Sequence, residues 1–313
     1  MSADNQVNSL NDSTIISVIK NNSDIEIASI KYIGGGSFGR VYKCTDKNSK
    51  PYAFKVFITP DMAEKEAFAL RNLAQCNSIK IPEVYFVTAD REKSPFDCML
   101  FEFIDGTNAF FNPALFLASK KKRQEFADIV VDAQISIHSI KSNKFGPIEN
   151  PIYDTWMDFY KPFAQKIYND AIEKNKEGKF DKYILDTMHE AWKEFDSIFT
   201  DEVSEASLIH GDLNVMNIMV NKNLKPVAFI DQLNSMYADR EYDLFQLMNL
   251  TGERFGLYDN YKSKFEVSEK CDLKCAFYRL WNEAMVYLNT GRYTGFIMRS
   301  AINYMKKQLK LNY

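Results

Sequence analysis

The stretch Leu208-Ile209-His210-Gly211-Asp212-Leu213-Asn214-Val215-Met216-Asn217-Ile218-Met219-Val220 constrains this chain more than any other. Its two ends are apolar and suited to burial, and its middle holds His210, Asp212 and Asn217. A carboxylate in an apolar frame is costly unless something pairs with it. The plain reading is a polar turn between two buried strands. The alternative is a loop that holds a carboxylate and an amide at a fixed spacing for chemistry. The rest of the chain decides between the two.

With 313 residues, 46% hydrophobic and 26% charged, the chain is long enough for two lobes with cores of their own. A net charge of −3 gives no electrostatic footprint for nucleic acid. The five cysteines, Cys44, Cys76, Cys98, Cys271 and Cys275, are scattered without a C-x-x-C pair, and only His138, His189 and His210 are available as imidazoles. A zinc site is thereby disfavoured and reduced thiols are expected. The N-terminus has neither a basic nor an apolar signal region, and no run of 18 apolar residues exists. The expectation is therefore a cytoplasmic protein without a membrane partner, and the Asn-x-Ser/Thr matches at Asn11, Asn21 and Asn249 are read as chance.

Residues Asp12-Ser13-Thr14 signal the start of a short helix, and Ile25 to Ile33 reads as a strand. That strand enters Gly34-Gly35-Gly36-Ser37-Phe38-Gly39-Arg40-Val41, a G-x-G-x-x-G-x-V pattern. Dinucleotide folds place similar glycines before a helix, whereas Val41–Cys44 here reads as a second strand followed by a turn over Asp46–Pro51. In the third strand, Tyr52 to Ile58, Lys55 is the only charge. It either snorkels at an edge or serves a buried anion. The helical pattern from Met62 to Ala74 puts Glu66, Leu70 and Leu73 on one face, so Glu66 is the favoured partner for Lys55, with Glu64 the alternative. Ile81–Val87 and Cys98–Ile104 read as the fourth and fifth strands.

From Asn112 the helical period dominates. The basic run Lys120–Arg123 reads as a solvated helix face, and His138 as a structural histidine beside the stripe Ile129, Val130, Ala133, Ile137 and Ile140. Tyr153 to Tyr160 mixes aromatic rings with Asp154 and Asp158, which suits either a polyhydroxylated ligand or plain helix packing. Glu173 to Lys182 reads as a polar connector. Beyond the central stretch, a hairpin leads to Val227-Ala228-Phe229-Ile230-Asp231, an apolar strand ending in a carboxylate, which places Asp231 beside Asn217. Two oxygen ligands of this kind suit Mg²⁺. Asp243, 12 residues on, reads as the N-cap of a helix Leu244–Leu250 or as a brace for the central loop.

Asp212-x4-Asn217 has the spacing of a kinase catalytic loop, and Gly34/Gly36/Gly39, Lys55, Glu66, Asp212, Asn217 and Asp231 follow in kinase order. The chain resembles the protein-kinase-like superfamily over nearly its full length. Gly211 stands where regulated protein kinases carry Arg, Asp231-Gln232-Leu233 replaces Asp-Phe-Gly, and no Ala-Pro-Glu segment occurs. These departures resemble the aminoglycoside phosphotransferase and choline kinase group, and within it the fructosamine kinase-like branch. Thr155-Trp156-x-x-Phe159, Asp239-Arg240-Glu241-x-Asp243-Leu244, Phe255-Gly256 to Tyr261 and Tyr278-x-Leu280-x-Asn282 carry that resemblance. In that branch a Trp usually stands at the position of Asn214, and Pro-Ala at Gln232-Leu233; these positions border the substrate there.

The resemblance implies an α+β, bilobal protein-kinase-like fold. An N-terminal nucleotide-binding lobe, 1–104, would hold a five-stranded antiparallel sheet plus one helix, and a mainly helical catalytic lobe would span 105–313. It implies ATP held by Gly34, Gly36, Ser37, Phe38, Gly39, Val41, Ala53, Lys55, Glu66, Glu102, Phe103 and Ile104, with the last three serving the adenine edge. It implies Mg²⁺ on Asn217 and Asp231, Asp212 as catalytic base, and His210 as a brace. Asp212, Asn217 and Asp231 would converge beneath residues 34–39. The expected reaction is phosphoryl transfer to a hydroxyl of a small molecule by a monomer or weak dimer. The favoured acceptor is a ketosamine. The alternatives are an aminoglycoside, and a protein kinase or nucleotide-binding pseudokinase.

Overall fold

The computed structural model describes residues 10–36 and 39–311. The chain divides into two compact units, Met1–Thr107 with Ile218–Asn234, and Asn108–Asn217 with Ser235–Tyr313. The expected boundary at 104/105 differs from this in two respects: the first stretch runs on to Thr107, and the hairpin carrying Asp231 groups with the first unit. The reason is a set of long-range backbone contacts. Phe229 N–H donates to Lys80 O at 3.1 Å, and Gly106 approaches the Val220 carbonyl so closely that a Cβ there would sit 2.5 Å from it.

In chain order the first unit opens with helix α1 (Asp12–Asn22), strands β1 (Ile27–Gly35), β2 (Gly39–Asp46) and β3 (Pro51–Phe57), helix α2 (Met62–Leu73), and strands β4 (Val84–Thr88) and β5 (Cys98–Glu102). The five strands form one antiparallel sheet in the order β1-β2-β3-β5-β4. Turn chemistry sets the β2–β3 hairpin: the Asp46 carboxylate accepts from the N–H groups of Asn48 and Lys50, and Ser49 takes φ 67°. The cap of α1 is Asn11, just before the expected signal, whose side chain accepts from Thr14 N–H at 2.9 Å. Ile15, Val18 and Ile19 of α1 pack on Tyr52, Phe54 and Val56 of β3 together with Cys98 and Leu100 of β5. The pleat turns alternate side chains to opposite faces, so Lys55 points away from this apolar layer. Among the described residues the two helices of this unit, α1 and α2, are those signalled at Asp12-Ser13-Thr14 and from Met62 to Ala74.

The second unit continues with α3 (Lys120–His138), α4 (Trp156–Lys176), α5 (Lys182–Lys193) and β6 (Ala206–Ile209). The hairpin β7 (Ile218–Val220) and β8 (Pro226–Phe229) belongs to the first unit. After it come β9 (Met236–Ala238), a 3-10 segment Arg240–Met248, and helices α6 (Leu257–Lys264), α7 (Cys271–Thr290) and α8 (Gly295–Gln308). β9 pairs with β6 antiparallel. Two expectations fail here. α4 runs on through Glu173–Lys176, which had read as connector, and no α-helix starts at Asp243. Instead Asp239 caps the 3-10 segment by accepting from Glu241 N–H, and every residue from Glu241 to Met248 is buried, so no one-sided period marks the segment in the sequence.

Candidate active site

The first unit builds a buried ion cluster around Lys55. Its Nζ donates to Glu66 Oε1 at 2.8 Å, to Oε2 at 2.7 Å, and to Asp231 Oδ1 at 3.3 Å. Lys55 is 8% exposed and Glu66 3%, while the Asp231 side chain remains about half exposed at 48%. Glu64 points to solvent, so the carboxylate that meets Lys55 is Glu66. Burial works against the ammonium, but the charges of Glu66 and Asp231 outweigh it and hold the Lys55 pKa above the ordinary lysine value. Asp231 follows β8 with φ 63°, a left-handed conformation that Asp tolerates better than most residues and that commonly marks a functional turn.

The glycine-rich turn between β1 and β2 is closed from both sides. Gly36 N–H donates to Gly39 O at 3.1 Å, and the Arg40 guanidinium binds the carbonyls of Gly36 and Gly39 at 3.0 and 3.1 Å. A Cβ at Gly39 would lie 2.5 Å from Val56 O, so only glycine fits against β3 there. Ser37 and Phe38 lie outside the described residues. Arg40 is a residue that sequence reasoning passed over; its signal was a lone cation inside a glycine pattern. Val41 stands opposite Lys55 across β2 and β3, and Ala53 is buried. Of the three residues proposed for an adenine edge, Glu102 already donates its N–H to Glu83 O at 2.8 Å and pairs its carboxylate with Lys80 at 2.5 Å. Phe103 carries the Lys43 ammonium 4.4 Å over its ring, and Ile104 is partly buried.

The second unit holds the central loop. Leu213 and Val215 are fully buried and anchor it, while Asn214 between them stays partly exposed. Asp212 Oδ1 accepts from Asn214 Nδ2 at 2.9 Å, and Oδ2 from Asn217 Nδ2 at 3.2 Å; Asn217 Nδ2 also reaches Asp212 O at 2.8 Å. Asn214, at the position where a Trp was expected from the resemblance, thus joins the carboxylate. Because the Asn217 amide nitrogen is directed at Asp212, its Oδ1 is turned the opposite way. That oxygen and the half-exposed Asp231 carboxylate are both hard donors, the chemistry Mg²⁺ selects, and Mg²⁺ sites use few protein ligands. By donor type each of the two residues, one in either unit, suits the metal. Among the described residues no group of three or more His, Cys, Asp or Glu is arranged for a metal. Gln232, the other departure, is 1% exposed and donates its amide to Phe229 O at 2.7 Å.

Asp243 braces this loop. It is completely buried, and its Oδ1 accepts from Gly211 N–H at 2.8 Å. Its Oδ2 meets His210 N–H at 3.3 Å, Gln134 Nε2 at 3.1 Å and His138 Nε2 at 3.1 Å. The far nitrogen of His138 bonds Tyr261 Oη at 2.7 Å. His210 itself accepts from Asp212 N–H through Nδ1 at 3.3 Å, and Gly211 takes φ 79°, which lets the backbone turn between them. Burial alone would raise the Asp243 carboxyl, yet the hydrogen bond and charge of His138, the charge of His210 and the Gln134 amide hold it below the usual carboxylate value. Gln134 and Tyr261 carried no sequence signal for this role, because their partners lie more than a hundred residues away.

The motif residues that carried the resemblance turn out to be framework. Thr155 and Asp158 form a capping box at the start of α4, Asp154 pairs with Lys144, and Trp156 and Tyr160 are buried. Trp156 Nε1 donates to Tyr278 Oη at 2.9 Å. Asp239 and Glu241 clasp the buried Lys274 at 2.8 and 2.6 Å.

A five-stranded antiparallel sheet that sets a lysine against a helix-borne glutamate, together with a helical unit that braces a His-Gly-Asp-x4-Asn loop, defines a phosphotransferase of protein-kinase-like fold, and the family match given below makes it a small-molecule kinase. Solved structures share that fold. A Thermobifida fusca YX-ER1 protein assigned as a fructosamine-3-kinase aligns with a TM-score of 0.67 at 16% identity, over 96% of this chain and 100% of that one. A thermostable mutant of aminoglycoside phosphotransferase APH(4)-Ia, in ternary complex with AMP-PNP and hygromycin B, aligns with a TM-score of 0.70 at 16% identity, over 95% and 98%. The ADP-bound aminoglycoside phosphotransferase APH(2'')-Ib gives 0.65 at 18% identity, over 96% and 98%. The fructosamine kinase family model matches residues 11–310, and the chain belongs to that family. No curated protein sequence matches it. Among the described residues no helix is long and apolar enough to cross a membrane.

Proposed function

We propose that this enzyme moves the γ-phosphoryl group of ATP to a hydroxyl of a ketosamine, a fructosamine-type sugar amine, in a Mg²⁺-dependent reaction. Family membership supports the acceptor class. The observation that carries the chemistry is the Asp212 carboxylate, fixed through both oxygens by the amides of Asn214 and Asn217. A carboxylate so held is oriented before the substrate arrives, and phosphoryl transfer depends mainly on positioning and electrostatics. Asp212 aligns the acceptor hydroxyl and takes its proton. Lys55, kept protonated by Glu66, binds the nucleotide phosphates, and the backbone amides of the glycine turn cover them. Asn217 and Asp231 would hold Mg²⁺, which when bound neutralises charge on the transferring group. AMP-PNP in the aligned aminoglycoside phosphotransferase supports ATP as the donor here.

An aminoglycoside is a polycation and calls for uncommitted acids. Asp154 is engaged with Lys144 and Asp158 with the α4 cap, so neither supports that acceptor. The deciding experiment is a coupled ADP-release assay on fructosyl-lysine, ribosylated amines, choline and hygromycin B. Turnover of fructosyl-lysine is expected. Turnover of hygromycin B alone would transfer the enzyme to the aminoglycoside class.

A further inference from the structure

We propose that the second unit carries a binding site for the phosphate group of a small phosphorylated molecule, centred on Arg279 of α7 and apart from the residues assigned to catalysis. Arg279 is only 5% exposed, and its Nε is buried with no hydrogen-bond partner. The nearest carboxylate oxygen, Glu253 Oε1, is 3.9 Å from Nη1 and belongs to a side chain that is 68% exposed. A guanidinium offers five N–H donors, and burying it without acceptors is unfavourable. Lys274, little more than one turn earlier on the same helix, shows how the fold treats a buried cation it keeps for structure: two carboxylates close on it within 2.8 Å. Arg279 receives no such clasp.

What Arg279 does line is an open groove of about 450 Å³. Arg299, Ser300, Asn303, Tyr304 and Lys307 line it too, and their spacing of three and four puts them on one face of α8. Arg299 and Lys307 are exposed, so they can close on a ligand whose inner end reaches Arg279. Opposing these three cations are two carboxylates, Glu253 and Glu283, so the balance stays positive. An excess of positive charge, a planar donor fork, the Ser300 hydroxyl and the Asn303 amide match a phosphate dianion, while the Tyr304 hydroxyl is engaged by Asp272. The volume admits a sugar-phosphate-sized molecule.

Inorganic phosphate is the probe, titrated calorimetrically into the full-length enzyme at constant ionic strength. Wild-type enzyme should bind it saturably. The double variant R299A/K307A, altered only at exposed positions, should bind at least about tenfold more weakly while keeping its unfolding temperature and its phosphate-free turnover. R279M should lose phosphate binding and unfold, without phosphate, at the same or a higher temperature, because it removes an unpaired buried charge. Absence of saturable binding, or affinity unchanged in both variants, would overturn the proposal; the second result would place phosphate at the catalytic site. A lower unfolding temperature for R279M would make the guanidinium structural and would equally overturn it. None of these readings depends on the acceptor being a ketosamine.

Discussion

Lys55 is a lone charge in an apolar strand because β3 is covered on one face by α1, while its other face meets Glu66. Removing Glu66 leaves that ammonium buried with only a longer contact to Asp231. Glu66→Ala should therefore cost about 3 kcal/mol in urea unfolding, the scale for breaking a buried pair, and Glu64→Ala close to nothing. Equal losses in the two variants would contradict the pairing. At Asp212 the expected effect is on rate. Asp212→Asn keeps the shape of the loop and should lower kcat by about 10²–10⁴-fold, with nucleotide affinity changed by less than about twofold. Wild-type turnover in that variant would remove Asp212 from the role of base. Asp231→Ala should abolish the part of nucleotide affinity that depends on Mg²⁺, measured by titration with and without the metal; an unchanged metal dependence would reject Asp231 as a ligand.

At the scale of elements, the loop 210–217 is held by the buried 3-10 segment through a single carboxylate, Asp243. Its folded-state pKa lies below the ordinary value, so it stabilises the fold fully above the unfolded carboxylate range near pH ~4, and that contribution is lost as pH falls through the lower folded value. Asp243→Asn should thus be less stable than wild type near neutral pH, and the gap should narrow as the medium is taken below about pH 4. A gap that widened on acidification would show that the histidines do not hold this carboxylate charged. The sheet was legible because turn residues and alternation act locally: the Asp46–Pro51 hairpin and the Lys55 strand follow from them directly. The Arg240–Met248 segment was not legible, since a stretch buried on all sides shows neither period. For the same reason Asp243 could be read as either a cap or a brace until its four donors were in view.

At the scale of the molecule, the division into two units separates the candidate machinery by ownership. Lys55, Glu66 and Asp231 belong to one unit, Asp212 and Asn217 to the other. The acceptor is a property of the whole enzyme, and the expected outcome is kcat/KM for fructosyl-lysine exceeding that for hygromycin B by at least about 100-fold, as expected where a site hydrogen-bonds one hydroxyl pattern and not another. A reversed ratio would reject the ketosamine reading. The sequence by itself determined the order of the chemical groups and the strands flanking the glycines at residues 27–46, because each rests on spacings of a few residues, and the fold class followed from the family resemblance those groups carry. Only the tertiary structure decided that residues 218–234 belong with the first unit, that Asp231 reaches Lys55 across 176 positions, and that Lys274 is clasped while Arg279 is not. Those facts depend on contacts between distant segments, and no local preference of the chain encodes them.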